Sequence, residues 1–253
     1  MQNRFTADRR NQLAQLIISK GSLTISEAAK KFNVSTETIR KDFIWLEHEG
    51  LITKSRGGAM PAAELLEKPV IQKKAENADS KNRIARKALD YVPKNGIVLL
   101  DAGTTTFALA RLIALESGLS VFTNSSQNLN ILAESQNNVF ILGGQIRPSS
   151  LAVIGPWANE QLACVHADVA FIGTDGFCGA NGPSTMAYAE SEIKKTMLKS
   201  SRQRIVLADS SKFRNCSSFQ FGRWDEIEVL ITDIDISESE LATIPPYTKV
   251  ITV

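Results

Sequence analysis

Histidine and cysteine are scarce in this chain, at two and three residues among 253. Two histidines and the lack of any Cys-x-x-Cys pair supply too few ligands for a structural zinc site. Cys164, Cys178 and Cys216, odd in number and far apart, predict no disulfide framework. No apolar run approaches the roughly 20 residues that cross a bilayer. The N-terminus carries no hydrophobic signal segment, so no membrane partner is expected and the cytoplasm is the expected compartment. Two phosphate-binding patterns are also missing, Gly-x4-Gly-Lys-[Ser/Thr] and Gly-x-Gly-x-x-Gly, which argues against a nucleoside triphosphate and against a dinucleotide. No cofactor or metal is expected.

What is present is a chain of 43% hydrophobic and 22% charged residues, enough for one large or two ordinary domains with ample core. The net charge of +2 hides an asymmetry. Residues 1–60 hold ten Lys or Arg against six Asp or Glu, whereas the remainder holds 19 against 21. A basic head on a near-neutral body suits a small module that meets phosphates.

Three helices are expected in residues 1–60. The first runs from Asp8 to about Ser19 with Leu13, Leu16 and Ile17 on one face and ends near Gly21. A short one covers Ser26 to Phe32, and a third runs from about Ser35 to Glu49, stopped by Gly50. Ile39, Phe43 and Leu46 form a buried stripe at i, i+4 and i+7, leaving Glu37, Arg40, Lys41 and Ile44 outside it. Ser35 or Thr36 is placed to cap this helix. Leu51 to Lys54 alternates, and Ser55-Arg56-Gly57-Gly58-Ala59 reads as a hairpin turn.

A helix-turn-helix followed by a hairpin is a winged helix. Thr36, Glu37 and Thr38 would then meet base edges in the major groove of double-stranded DNA. Arg40 and Lys41 would meet phosphate or guanine, and Arg56 on the wing the backbone or minor groove. The bland alternative makes Arg40 and Lys41 a solvated face with Asp42 paired locally. Trp45 is expected in the core or at a domain contact.

Arg9-x3-Leu13-x3-Ile17, followed after seventeen intervening residues by Ser35-x2-Thr38-Ile39-Arg40-Lys41-Asp42-Phe43, resembles the signature of the DeoR family of bacterial transcriptional regulators. Leu51-Ile52 and Arg56-Gly57-Gly58-Ala59 resemble that family's wing. The resemblance implies operator binding, usually as a repressor, with a C-terminal sensor for a sugar phosphate.

Residues 61–79, rich in Ala, Glu and Lys and interrupted by Pro61 and Pro69, read as a partly helical linker. Ser80 to Tyr91 then reads as a helix. Apolar runs follow at Ile97–Leu100, Val121–Phe122, Val139–Leu142, Val169–Ile172, Arg204–Leu207, Val229–Ile231 and Val250–Thr252. Continuous runs alternating with helical stretches predict a doubly wound, Rossmann-like α/β domain with a largely parallel sheet over residues 80–253.

Ligands in such folds sit beyond the strands' C-terminal ends. Leu100 leads into Asp101-Ala102-Gly103-Thr104-Thr105-Thr106 and a helix, an anion cradle in kind. The other strands lead into Thr123-Asn124, Gly143-Gly144, Thr174-Asp175-Gly176 and Asp209-Ser210-Ser211-Lys212. Each loop taken singly is also an ordinary turn or cap.

The same loops resemble the sensor domain of DeoR-family regulators. By that likeness Gly103, Thr104 and Thr105 would hold a phosphate that Lys212 neutralises. Thr123, Asn124, Gly143 and Gly144 would line the same crevice, and Asp101, Asp175, Glu190 and Lys194 would take the sugar end. Ser184 to Ala189 departs from the Phe-Asn-Glu or Phe-Asp wording common in the family. The implied partners are operator DNA, a phosphorylated sugar or polyol, and further copies of the chain in a dimer or tetramer.

The sensor fold of the family is similar to that of ribose-5-phosphate isomerases, so a sugar-phosphate isomerase is the alternative reading. Such an enzyme needs a second carboxylate in its Asp-Gly-Ala-Asp loop and a following Lys-Gly-Gly-Gly-Gly segment. Here the loop reads Asp175-Gly176-Phe177-Cys178 and the glycine-rich segment is absent, so no catalytic residue is assigned.

Overall fold

A computed structural model describes residues 2–20, 22–49, 51–61 and 70–253. The expected helix stops at Gly21 and Gly50, and residues 62–69 of the expected linker, lie outside the described residues. The chain divides into two compact units, Met1–Lys68 and Pro69–Val253.

The first unit contains α1 (Gln2–Lys20), β1 (Leu23–Thr24), α2 (Ile25–Phe32), α3 (Thr36–His48), β2 (Ile52–Ser55) and β3 (Gly58–Pro61). Thr24 and Glu27 form a reciprocal capping box that starts α2. At its other end Asn33 turns left-handed at φ 50°, and the Val34 N–H donates to the Ala29 carbonyl. That bend sends the chain straight into α3. Leu13, Ile17, Ala28, Ile39, Phe43 and Leu46 close one apolar core with Leu23 and Ile52. The three strands pair antiparallel in the order β1-β3-β2. Gly57 holds the hairpin tip at φ 89°, and any Cβ on Gly58 would stand 2.6 Å from the Leu23 carbonyl oxygen.

Two side chains of α3 stand apart from its core stripe. Asp42 is buried and holds long-range partners in α1 rather than a local one. Trp45 is 37% exposed, outside the core, with the Arg10 guanidinium 4.5 Å above its ring.

The second unit opens with α4 (Val70–Ala75) and α5 (Ala78–Leu89), so residues 70–75 of the expected linker are a helix within this body. Then come β4 (Gly96–Leu100), α6 (Thr104–Ile113), β5 (Ser117–Thr123), α7 (Ser126–Leu132), β6 (Gln136–Ile141), β7 (Gln145–Arg147), β8 (Ala152–Ile154) and α8 (Pro156–Ala163). After them follow β9 (Ala167–Gly173), β10 (Gly176–Phe177), β11 (Pro183–Thr185), α9 (Tyr188–Lys199), β12 (Ser201–Leu207), β13 (Phe219–Gln220), β14 (Val229–Thr232), α10 (Glu238–Leu241) and β15 (Lys249–Thr252).

Each of the seven apolar runs became a strand of one parallel sheet, ordered β15-β14-β12-β9-β4-β5-β6. Alternate residues feed opposite faces. Val98, Leu100, Phe171 and Leu207 pack under α5 and α6, while Leu99, Ala170, Ile172 and Val206 pack under α8 and α9. Coverage on both faces is why these runs are continuous rather than alternating.

Two small antiparallel additions, β7 with β8 and β10-β11-β13, extend the loops beyond β6 and β9. The second overturns part of the cysteine reading. Cys178 and Cys216 form a disulfide, 38 residues apart in sequence. The chain returns alongside itself there: the Phe177 N–H donates to the Asn215 carbonyl at 2.8 Å. Sequence spacing carries no sign of that return. Cys164 is free and exposed.

Candidate functional sites

In the first unit, Ser35 caps α3, its hydroxyl accepting from the Thr38 N–H at 3.1 Å and pairing with the Thr38 hydroxyl at 2.9 Å. These two hydroxyls therefore shape the helix start. Thr36, Glu37, Arg40 and Lys41 are exposed on the face opposite the core stripe, with Ile44 among them. Arg40 reaches Glu37 at 3.5 Å, an exposed pair that contributes at most about 1 kcal/mol and yields readily to a phosphate. Arg56 is exposed at the hairpin tip. The hairpin is tied to α3 by Glu47, which accepts from both the Lys54 N–H at 3.0 Å and the Lys54 ammonium at 2.8 Å.

What orients that face is a buried ion cluster. Asp42 points inward from α3 and accepts from Arg9 Nε at 2.7 Å and Arg10 Nε at 2.9 Å. Fixing α3 against α1 in this way presents Arg40 and Lys41 outward.

In the second unit, strand order reverses direction between β4 and β9: the chain proceeds from β4 toward β5 and β6, then returns to β9 and moves the other way. In open α/β sheets, ligands bind at such a switch point, beyond the strand ends. Asp101 and Gly173 face each other there, the Gly173 N–H donating to Asp101 Oδ2 at 3.0 Å. Glu190 and Lys194, one turn apart on α9, bring their side chains to the same place. Lys194 Nζ donates to Asp101 Oδ2 and to the Gly173 carbonyl. Burial would strip its proton, but Asp101, Glu190 and Asp175 outweigh burial and raise its pKa. Lys194 is therefore a fixed buried cation.

Asp175 accepts from Lys73 Nζ at 2.9 Å, from the Thr185 hydroxyl at 2.9 Å and from the Met186 N–H at 3.3 Å. Burial pushes its carboxyl up, yet Lys73, Lys194 and these hydrogen bonds win and hold it at about 2. Glu190 differs. Burial dominates the pull of Lys194 and Arg147 and raises its pKa, while Arg147 donates to it at 3.4 Å and its Oε2 lies 3.1 Å from the hydroxyl of Thr185.

Gly103 precedes α6, whose first intrahelical bond is from Phe107 N–H to the Gly103 carbonyl at 2.9 Å. The amides of Thr104, Thr105 and Thr106 come before that bond, so the helix itself gives them no acceptor. Such a helix start attracts anions. Lys212 stands beyond β12 on a short 3-10 turn, close enough to Lys81 to help burial lower the Lys81 pKa against the opposing pull of Asp209. Asp209 is buried and its Oδ2 has no donor among the described residues.

The remaining expected residues are built into the frame. The Thr123 hydroxyl donates to the Leu100 carbonyl at 2.6 Å and accepts from Ser125 N–H and Asn128 Nδ2. Asn124 Oδ1 accepts from the Ala102 N–H at 2.8 Å. Both side chains thus set the turn that carries Asp101 and Gly103. The Gly143 N–H donates to Gln161 Oε1, and a Cβ on Gly144 would meet the Ile154 carbonyl at 2.6 Å. These two glycines follow β6 at the sheet edge, two strands and so on the order of 10 Å from β4.

Sequence reading missed Lys73, Lys81, Arg147 and Thr185. Lys73 lay in apparent linker, and Thr185 lay in a stretch noticed only for its departure from family wording. Arg147 and Lys81 had no local signal; only the sheet brings them in. Among the described residues no cluster of metal-ligating side chains occurs, and no helix is long and apolar enough to cross a membrane.

Residues 9–63 match the DeoR-like helix-turn-helix domain and residues 76–234 the DeoR C terminal sensor domain. The HTH-type transcriptional regulator GlpR of Haloferax volcanii is 31% identical, covering 90% of this chain and 89% of its own. The HTH-type transcriptional repressor CsqR of Escherichia coli is 29% identical over 89% and 87%. The glycerol-3-phosphate regulon repressor of Escherichia coli is 26% identical over 89% and 90%. Among solved structures, ribose 5-phosphate isomerase A of Methanocaldococcus jannaschii aligns over 55% of each chain at 16% identity and a TM-score of 0.39, too slight a likeness to carry an argument. These relatives are named as regulators or repressors. The chain carries both domains in order and belongs to the DeoR family of transcriptional regulators.

Proposed function

We propose that this regulator represses a carbohydrate or polyol catabolic operon, and that a phosphorylated sugar or polyol releases it from operator DNA. The observation that carries the reading is the set of groups gathered at the switch point beyond β4 and β9. A helix start suited to phosphate stands beside a buried ion cluster, Asp101, Lys194, Asp175 and Glu190, suited to hydroxyls. Gly103, Thr104, Thr105 and Lys212 take the phosphate in this reading, and Asp101, Asp175, Glu190 and Lys194 the polyol end, with Thr123, Asn124, Gly143 and Gly144 as its frame. The glycerol-3-phosphate relative supports a small phosphorylated polyol as the ligand class.

On the DNA side, Thr36 and Glu37 read bases, Arg40, Lys41 and Arg56 hold phosphates, and Ser35 and Thr38 fix the helix start. Homo-oligomers, dimers or tetramers, would set two such helices on operator half-sites. The effector shifts the equilibrium only by preferring the arrangement that binds DNA poorly, and saturating operator must weaken effector binding by the same factor.

A thermal-shift panel of sugar and polyol phosphates, each beside its unphosphorylated parent, tests the crevice. Phosphorylated members should stabilise the chain, and Thr105→Ala or Lys212→Ala should diminish the shift. Equal stabilisation by the parent polyols would contradict a phosphate site.

A further inference from the structure

The short helix α4 lies along the strand ends of the second unit, tied down at several points. Its first residue, Val70, donates its N–H to the Ser149 carbonyl in the β7–β8 turn at 2.8 Å. Lys73 reaches Asp175, beyond β9, at 2.9 Å. Lys74 sets its ammonium 3.8 Å from the Phe107 ring, on the first turn of α6. The last turn is closed by buried Lys81, whose ammonium donates to the Lys73 and Glu76 carbonyls. Just past it, Asn77 donates to Asp209, beyond β12, at 2.9 Å. These anchors run from the β6 side of the sheet end to the β12 side, with the β4–β9 crevice between them.

A six-residue helix is far below the length that holds itself together in water. The order of α4 therefore depends on this handful of anchors, one of which, Asp175, belongs to the proposed effector site. In sequence, α4 follows the wing strand β3 by only eight residues.

We propose that α4 is an effector-responsive strap, with Lys73 and Lys74 as ligands of the crevice that draw it tighter when an anion occupies the start of α6. The inference rests on reading that crevice as a phosphate site. A phosphate at Gly103–Thr105 places negative charge beside the turn where Lys74 lies and near the carboxylate that holds Lys73. Both lysines then gain a charge-assisted partner while Asp175 keeps its donors from Thr185 and Met186. The strap's seating thus depends on occupancy.

Hydrogen exchange of the full-length chain, with inorganic phosphate against chloride at fixed ionic strength, tests this beside a thermal melt. Phosphate should raise the Tm and slow exchange of the amides of 71–77 by about tenfold, the factor one charge-assisted hydrogen bond supplies. Lys73→Gln should keep part of the Tm rise but lose the slowing, and Lys73→Arg should retain both. A Tm rise with unchanged exchange at 71–77, or full slowing in Lys73→Gln, overturns the strap and leaves the phosphate site standing. No Tm rise in the parent chain removes the phosphate site and the strap with it.

Discussion

Arg9 Nε donates to Asp42 Oδ2 at 2.7 Å, across 33 residues of sequence. Both residues belong to the motif that marks the family, and neither faces outward: Asp42 is 1% exposed and Arg9 is half-buried. Part of a DNA-binding signature is therefore a brace. The exposed Arg40 and Lys41 sit between the core residues Ile39 and Phe43, and the brace fixes which way that turn faces.

Asp42→Ala should accordingly lower stability of the first unit by about 1–3 kcal/mol, because two arginines lose a buried acceptor but retain access to water. Hydrogen exchange of the α3 amides in the full chain, parent against variant, reads this. Stability equal to the parent's would mean that the cluster orders nothing.

Arg40→Ala should weaken operator binding and reduce the slope of log affinity against log salt by about 1, the signature of one lost phosphate contact. The phosphate-dependent thermal shift should stay as it was. An unchanged salt slope with weakened binding would instead make Arg40 a reader of base edges.

Asp175 gives a pH-dependent prediction. Its folded carboxyl is depressed to about 2, against about 3.9 unfolded. The stabilisation is present above the unfolded value and is lost as pH falls through the folded one. Asp175→Asn should cost about 2 kcal/mol at neutral pH and about half that at pH 3. Urea melts of parent and variant at both pH values check it, and a cost independent of pH would remove the charge from the account.

Lys194→Met should be severe, about 3–5 kcal/mol, because it strands the Asp101 carboxyl in the sheet end without its cation. Adding Asp101→Asn should restore much of that loss, since a neutral pair needs no counter-charge. Denaturation of the single and double variants measures the coupling. Additive losses would argue that the pair is not a unit.

Much of this molecule was legible from periodicity. Ile39, Phe43 and Leu46 declare the inward face of α3 by helical spacing, and the seven sheet strands declare themselves as unbroken apolar runs between turns. Asp101 and Asp175 could be picked out because a parallel sheet collects whatever follows its strands at one end. Thr123 and Asn124 follow a strand by the same rule, yet their side chains turn back on the Leu100 carbonyl and the Ala102 amide. Chain order does not say whether a polar residue looks into a crevice or braces its wall.

What the sequence alone determined is everything carried by local pattern: the winged helix, the parallel sheet and the basic face of α3. Only tertiary structure decided the pairings. Arg9 finds Asp42, Lys73 finds Asp175 across 102 residues, and Cys178 finds Cys216 through a small sheet that has no periodic signature. The physical reason is one of range. Periodicity reports which way a side chain points from its own element, whereas a charge or thiol takes its partner from whichever distant segment the packed core delivers to it.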